Sequence, residues 1–349
     1  MRQEAGKTGA PARPEHRSLN GKTNFILLLT CGLFLGGTAP GNPPKTQFPR
    51  QELDSMASRF GGRIGFFARN VADGAEYSYN GDQRFPPASV IKLPVMIELY
   101  RQAAAGSLDL DAKETLPQDI STHGSGVLKR REGPVSLTLR EYCRLMMVHS
   151  DNMATDLVMR KVGLEAVNRF LGELGLKNTR ASMELGRWHY LIVSLAKAPI
   201  SRENDDRILK NMRSGKYDDG LGYSDSLDNN VCGPRDIGSL LAKLYGGELA
   251  SREDTREMLD LMRASTHKRT IAKYVKEGIP VANKYGGSRR IAADSGVVEL
   301  PGGPVVMAAF ALSDDPGDRS GREILARMAR LAVAAVAPSA VKPVPQTGR

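Results

Sequence analysis

Residues 85–106 read FPPASVIKLPVMIELYRQAAAG, and the rest of the chain is interpreted around them. Paired prolines at 86 and 87 give way to apolar residues at helical spacing, and Gly106 closes the run. This predicts a helix that opens beside Ser89. Residues three apart on a helix share a face, so Lys92 reaches Ser89. Pro94 lacks an N–H and carries a ring, which predicts a kink or a late start of the regular helix. A serine hydroxyl is a weak nucleophile until a base takes its proton, and a lysine does so only when neutral, a state favoured by burial and nearby cations. A helix N-terminus also leaves N–H groups unbonded, so the Ser89 N–H is a donor for an oxyanion formed there.

Upstream, residues 62–82 (GRIGFFARNVADGAEYSYNGD) read as two strands around the turn ADG. Downstream, residues 278–313 (GIPVANKYGGSRRIAADSGVVELPGGPVVMAAFALS) return to strands, with PGG as a hairpin-like turn. Residues 318–337 close as an amphipathic helix. Between them, residues 107–270 read as mostly helical, with one helix ending near His149, another starting near Asn152 and a third with Pro234 in its first turn. Strands at both ends around a helical middle predict an α+β fold. Its antiparallel sheet is built from the N- and C-terminal segments and flanked by helices, with an all-helical domain inserted at about 107–270. Residues 181–229 are polar and unpatterned, which fits a functional loop or short helices. No internal repeat is evident. The Ala/Pro/Val-rich residues 337–349 read as a disordered tail.

The chain has 349 residues, 41% of them hydrophobic, and a net charge of +10. Seven Lys/Arg against two acids lie in residues 1–50, and two against none in residues 337–349. Seven of the ten surplus charges therefore sit at the ends, and the body is an ordinary surface with no basic patch of interleaved aromatics. Nucleic-acid binding is not expected. Residues 1–38 run from a basic stretch through the apolar FILLLTCGLFL (25–35) to small residues, the order of a secretory signal. The apolar run is shorter than the roughly 20 residues of a comfortable span. An uncleaved anchor, or lipidation at Cys31, are the alternatives. Residues 39–51 are a Pro/Gly-rich linker. Export places Cys143 and Cys232 where a disulfide is permitted, and the sequence leaves open whether they pair. No CxxC, HExxH or Cys/His cluster supports a metal.

Ser-x-x-Lys alone carries no information, since it starts at Ser89, Ser194, Ser265 and Ser339. Context decides. Ser-Asp-Asn occurs once, at residues 150–152, and taken alone it is a good helix cap. NKYGGS (283–288) then sets Lys284 and Gly286 on a predicted strand, where alone they read as a surface lysine before a glycine turn. The ordered set is far more specific than any member.

With these motifs in place, the chain resembles the class A serine β-lactamases and the related penicillin-binding transpeptidases over residues 52–336. FPPASVIKLPVMIELYRQ, LMMVHSDNMATDLVM, NNVCGPRDIGSLLAKLYGGEL and ADSGVVELPGGPVVMAAFAL carry the resemblance. It implies that Ser89 is the acylated nucleophile and Lys92 its base. Ser150 passes a proton to the leaving nitrogen, and Lys284 acts electrostatically on Ser150 and on a substrate carboxylate. Asn152 binds the substrate amide, and the N–H groups of Ser89 and Gly287 form the oxyanion hole. The implied partner is a β-lactam or a cell-wall peptide, bound by a monomer without a cofactor, with membrane contact only through the N-terminal segment.

Two departures stand out. Tyr285, counted with Asn152, Gly286 and Gly287 among the substrate-binding residues that the resemblance implies, occupies a position where the family has a small hydroxyl residue, so Ser288, Arg289 or Arg290 takes over the carboxylate, or the substrate differs. The family's deacylating glutamate, followed four residues on by asparagine, has no counterpart in residues 176–230. Glu184 is the candidate by position and Glu203 the second. His149 reads as structural, at a helix end. His123 lies in a glycine-rich loop that could border the cleft, and Trp188 reads as local packing. Three readings follow: a β-lactam hydrolase, a slowly deacylating D-Ala-D-Ala peptidase, and a non-catalytic penicillin-recognition domain.

Overall fold

A strand buried on both faces must be apolar throughout, and residues 305–313 (VVMAAFALS) are buried at every position. They form the centre of the sheet. The computed structural model describes residues 45–345. Helix α1 (Arg50–Ser58) precedes strands β1 (Gly62–Asn70) and β2 (Glu76–Tyr79). A 3-10 turn (Ala88–Ile91) runs into α2 (Lys92–Ala104), and the short strands β3 (Lys113–Thr115) and β4 (Ser136–Thr138) pair with each other. Helices α3 (Leu139–Val148), α4 (Asn152–Val162), α5 (Leu164–Glu173), α6 (Leu185–Leu191), α7 (Arg202–Arg213), α8 (Pro234–Tyr245) and α9 (Arg252–Arg263) follow. Strands β5 (Val281–Gly287), β6 (Ile291–Val298) and β7 (Val305–Ser313) and helix α10 (Ser320–Val336) end the fold.

The main sheet has the order β2-β1-β7-β6-β5, antiparallel throughout. Its first and last strands in sequence meet directly, β1 pairing with β7 from Gly62↔Ser313 to Asn70↔Val305. Side chains alternate between faces along a strand. Val306, Ala308, Phe310 and Leu312 pack with Phe67 and with Ile237, Leu240 and Leu241 of α8. Val305, Met307, Ala309 and Ala311 pack with Leu53 of α1 and with Leu325, Met328 and Val333 of α10.

The α+β architecture read from the sequence is the observed one, with three corrections. The segment 107–270 is not all helical, because it contains the β3–β4 pair, and its α8 covers the main sheet; Gly238 in α8 lies so close that a Cβ would stand 2.0 Å from the Phe67 ring. Residues 181–229 hold short helices, the second of the two readings of that segment: α6, α7 and a 3-10 turn (Leu221–Tyr223). The tail is ordered as far as it is described: Ala340 and Val341 are buried, Val341 bridges Val275, and the Lys342 N–H donates to Tyr274 O at 2.7 Å. At the other end α1 starts within the expected linker, and Phe48 is already buried. The expected signal, Cys31 and residues 39–44 of the linker lie outside the described residues, as do residues 346–349. Cys143 and Cys232 are free, buried thiols, both pushed up by burial.

Candidate active site

The regular helix α2 begins late, at Lys92, and places Pro94 in its first turn, where a missing N–H costs no helical bond. Ahead of it the 3-10 turn carries Ser89, preceded by Ala88 at φ +44°. A non-glycine residue in that region is strained, and such strain persists where surrounding structure imposes it. The edge strand β5 presses on this turn. A Cβ on Gly286 would stand 2.6 Å from Pro87 O and 2.8 Å from Ser89 N, so only glycine fits. The Ser288 N–H donates to Ile291 O of β6. Because N–H groups alternate along a strand, that of Gly287 points to the open edge, beside Ser89.

Ser150, between α3 and α4, also has a left-handed backbone, φ +55°. Asp151 caps α4 through the Ala154 N–H at 3.0 Å and also accepts from Val127 N–H at 2.6 Å and Leu128 N–H at 2.8 Å. The loop before β4 is thereby tied to the serine. Ser125 Oγ adds a bond to Ser150 O at 2.6 Å.

The residues singled out in the sequence meet here. Ser150 Oγ donates to Ser89 Oγ at 3.0 Å, and Lys284 Nζ donates to Ser150 Oγ at 3.0 Å. Lys92 Nζ donates to Ser150 O at 2.8 Å, Ser150 Oγ at 3.1 Å and Asn152 Oδ1 at 2.9 Å. Lys92 therefore touches Ser89 through Ser150, a relay the three-residue spacing did not reveal. Its three bonds leave the amide hydrogens of Asn152 available to a carbonyl. Both lysines are fully buried. Burial, reinforced by the Lys284 charge, holds Lys92 well below the usual ammonium range, and burial brings Lys284 down to about 7 against the opposing pull of Asp294. Lowering the pKa in this way favours the neutral amine of Lys92, the form that can receive a proton.

Tyr285 points away from this cluster. Its ring lies 5.1 Å from that of His267, and its hydroxyl accepts from Arg322 at 2.7 Å. Arg289 is bidentate to Asp219, at 2.9 and 2.8 Å, and Arg290 donates to Ser313 O at 2.8 Å. Ser288 Oγ is sealed and without a partner.

Glu184 is not brought to the cluster. Its carboxylate is bidentate with Arg160, at 2.7 and 2.9 Å, and lines a cavity with Asp119, Met183 and Arg187. Glu203 is exposed in the first turn of α7. The residue that sequence reasoning passed over is His189, of α6. A Cβ on Gly124 (φ +104°) would stand 2.7 Å from His189 Cε1 and 2.2 Å from Asn152 Nδ2, which places the imidazole beside the cluster. Its only sequence signal was a polar residue between Trp188 and Tyr190, two large aromatics that are both buried. His123 does border this place, its ring 4.9 Å from that of His189.

A serine, two buried lysines and a hydroxyl relay between a helical unit and a sheet edge define a serine hydrolase site by arrangement. The chain belongs to the beta-lactamase enzyme family, whose model matches residues 49–336, and it is a hydrolase of that type. It is 26% identical to a beta-lactamase of Kitasatospora aureofaciens, over 92% of this chain and 96% of the relative. It is also 26% identical to one of Streptomyces lavendulae, over 95% and 99%. A solved beta-lactamase from Sphaerobacter thermophilus superposes with a TM-score of 0.66 at 26% identity, covering 83% of this chain and 98% of that one. The solved structure of PBP-A, at 24% identity and TM-score 0.67, covers 82% and 94% and shares the fold.

Proposed function

We propose that the protein is an exported hydrolase that opens β-lactam rings through an acyl-Ser89 intermediate. The observation that carries this reading is the bonded relay Ser89–Ser150 with Lys92 and Lys284 on the same hydroxyl. Ser89 Oγ adds to the lactam carbonyl while its proton passes through Ser150 Oγ to Lys92, whose burial favours the neutral amine. The oxyanion is met by the N–H groups of Ser89 and Gly287, and the amide of Asn152 holds the substrate's side-chain carbonyl. The C–N bond then breaks, and the nitrogen takes a proton from Ser150, replenished from Lys92. Lys284 favours a carboxylate on the substrate. Export is supported by the basic, apolar and small order of residues 1–38. It is tested by the size and compartment of the mature chain.

Intact-mass spectrometry of the protein mixed with a penicillin tests the reading. A transient adduct on Ser89 and turnover of a chromogenic cephalosporin are expected; no adduct and no turnover would refute it. A second reading keeps Ser89 acylation but makes the natural substrate a D-Ala-D-Ala peptide, with slow release. It is favoured by the commitment of Glu184 to Arg160, and a persistent adduct would select it.

A further inference from the structure

The acylation steps leave His189 unused, yet it is held in the cleft with some care. The side chain is half-buried, and its Nδ1 is sealed from solvent without a hydrogen-bond partner. Buried polar atoms in folded proteins are nearly always paired, so an orphan beside a reactive cluster calls for a reason. Several elements fix the ring. Trp188, pinned by donation from Nε1 to Gly222 O at 2.9 Å, packs against it edge-on at 5.3 Å. His123 meets it from the loop before β4. Asp156 of α4 holds the start of α6 by accepting the N–H groups of Leu185 and Gly186, each at 2.8 Å. The missing side chain of Gly124 keeps open the small space that His189 shares with Asn152.

The groups facing the ring are cationic or neutral. Lys92 approaches from α2, and His123 and Lys129 from the loop before β4; burial and these groups push the imidazole down to about 3. It is neutral across the physiological range, with a lone pair on one nitrogen. The nearby carboxylates are occupied, Asp156 by the two N–H groups and Glu184 by Arg160.

We propose that His189 is the base of the hydrolytic half-reaction, taking a proton from the water that attacks the acyl-Ser89 carbonyl. This rests on acylation of Ser89. The water oxygen bonds to the acyl carbon as its proton moves to Nε2 of the imidazole, the nitrogen that is not sealed. The intermediate collapses with rupture of the carbon–Oγ bond, and the proton returns from His189 to Ser89 Oγ. Serine and neutral imidazole are regenerated, and a carboxylic acid leaves.

The test uses the unchanged protein with H189Q and H189E, each mixed with benzylpenicillin and followed by stopped flow and intact mass. H189Q is expected to acylate within about threefold of the unchanged protein, which also reports an intact cleft. Release slows on the order of 10²- to 10⁴-fold, so its adduct persists. H189E restores release, with a rate that falls as pH drops through the carboxylate range near 4. A purely structural role would not create that fall. Equal release by H189Q and the unchanged protein overturns the proposal and leaves the acyl-Ser89 reading standing. So does a persistent adduct on all three, or failure of H189Q alone to acylate. No adduct on any of them overturns the acyl-Ser89 reading and this inference with it.

Discussion

Replacing Gly286 by alanine tests the closest approach in the site. The added methyl would meet Pro87 O at 2.6 Å, Ser89 N at 2.8 Å and Val90 N at 3.1 Å, all backbone atoms of one turn that cannot rotate aside. Restoring the tightest contact to the 3.4 Å of ordinary packing separates β5 from the Ser89 turn by about 0.8 Å. That separation acts directly on the two oxyanion donors, one on each side of the gap. A misplacement near 1 Å costs about 10²-fold in rate, so acylation by a fluorescent penicillin should slow by about that factor. Overpacking costs about 1–3 kcal/mol, and a domain of this size loses roughly 2–4 °C in Tm per kcal/mol. Gly172→Ala is the control. It sits in α5 with nothing within 4 Å of its added Cβ, and should be neutral or stabilising by up to about 1 kcal/mol. If G286A acylates at the unchanged rate, the pairing of Ser89 and Gly287 as oxyanion donors is wrong.

Other expectations follow from the same geometry. K92M removes the proton acceptor, so acylation falls about 10²- to 10⁴-fold. The fold survives, since Ser125 Oγ lies within hydrogen-bond distance of both acceptors that Lys92 leaves, Ser150 O at 2.6 Å and Asn152 Oδ1 at 3.3 Å; circular dichroism beside labelling kinetics checks both. Lys284 is charged below about pH 7 and neutral above it, so kcat/KM for an anionic penicillin declines as pH rises through that value. K284R stays charged and moves the decline out of range; an unshifted profile would remove Lys284 from carboxylate binding. E184Q weakens a half-buried ion pair, with side chains 28% and 23% exposed, by about 1 kcal/mol, and leaves acyl release within about twofold. A release defect comparable to that expected of H189Q would restore Glu184 as the base.

What could be read from the sequence was what local pattern determines. Ser89 and Ser150 each sit just ahead of a helix with turn or cap chemistry around them, Lys284 stands within β5 two residues before a pair of glycines, and their order along the chain located the cleft. The late start of α2 followed from Pro94 alone. The alternating faces of β7 were visible as one apolar run. His189 escaped because nothing local marks it: α6 has seven residues, too few to stand on propensity. Its place is set by Asp156, Gly222 and Gly124, each remote in sequence. The same holds for α7, where Asp205 accepts from Ser121, Thr122 and Tyr190 and anchors a helix to a loop more than eighty residues earlier. Glu184 was chosen by position, and Arg160 on α4 offered no sequence sign that it would claim the carboxylate. Tyr285 was read as a substrate contact, whereas its hydroxyl is taken by Arg322 of α10.

The pairing of β1 with β7 has a consequence in time. Gly62 finds its partner at Ser313 and Asn70 at Val305, so the loop to be closed is most of the chain, and such non-local pairing is slow to form. A nascent or truncated chain ending before residue 305 has Ser89, Ser150 and Lys284, yet β1 has no central strand to dock on and β5 no continuous sheet behind it. The Ser89 turn, Ser150 and Lys284 are therefore brought together only once β7 has been made. Until then those residues are present in the chain without the sheet that holds them against one another.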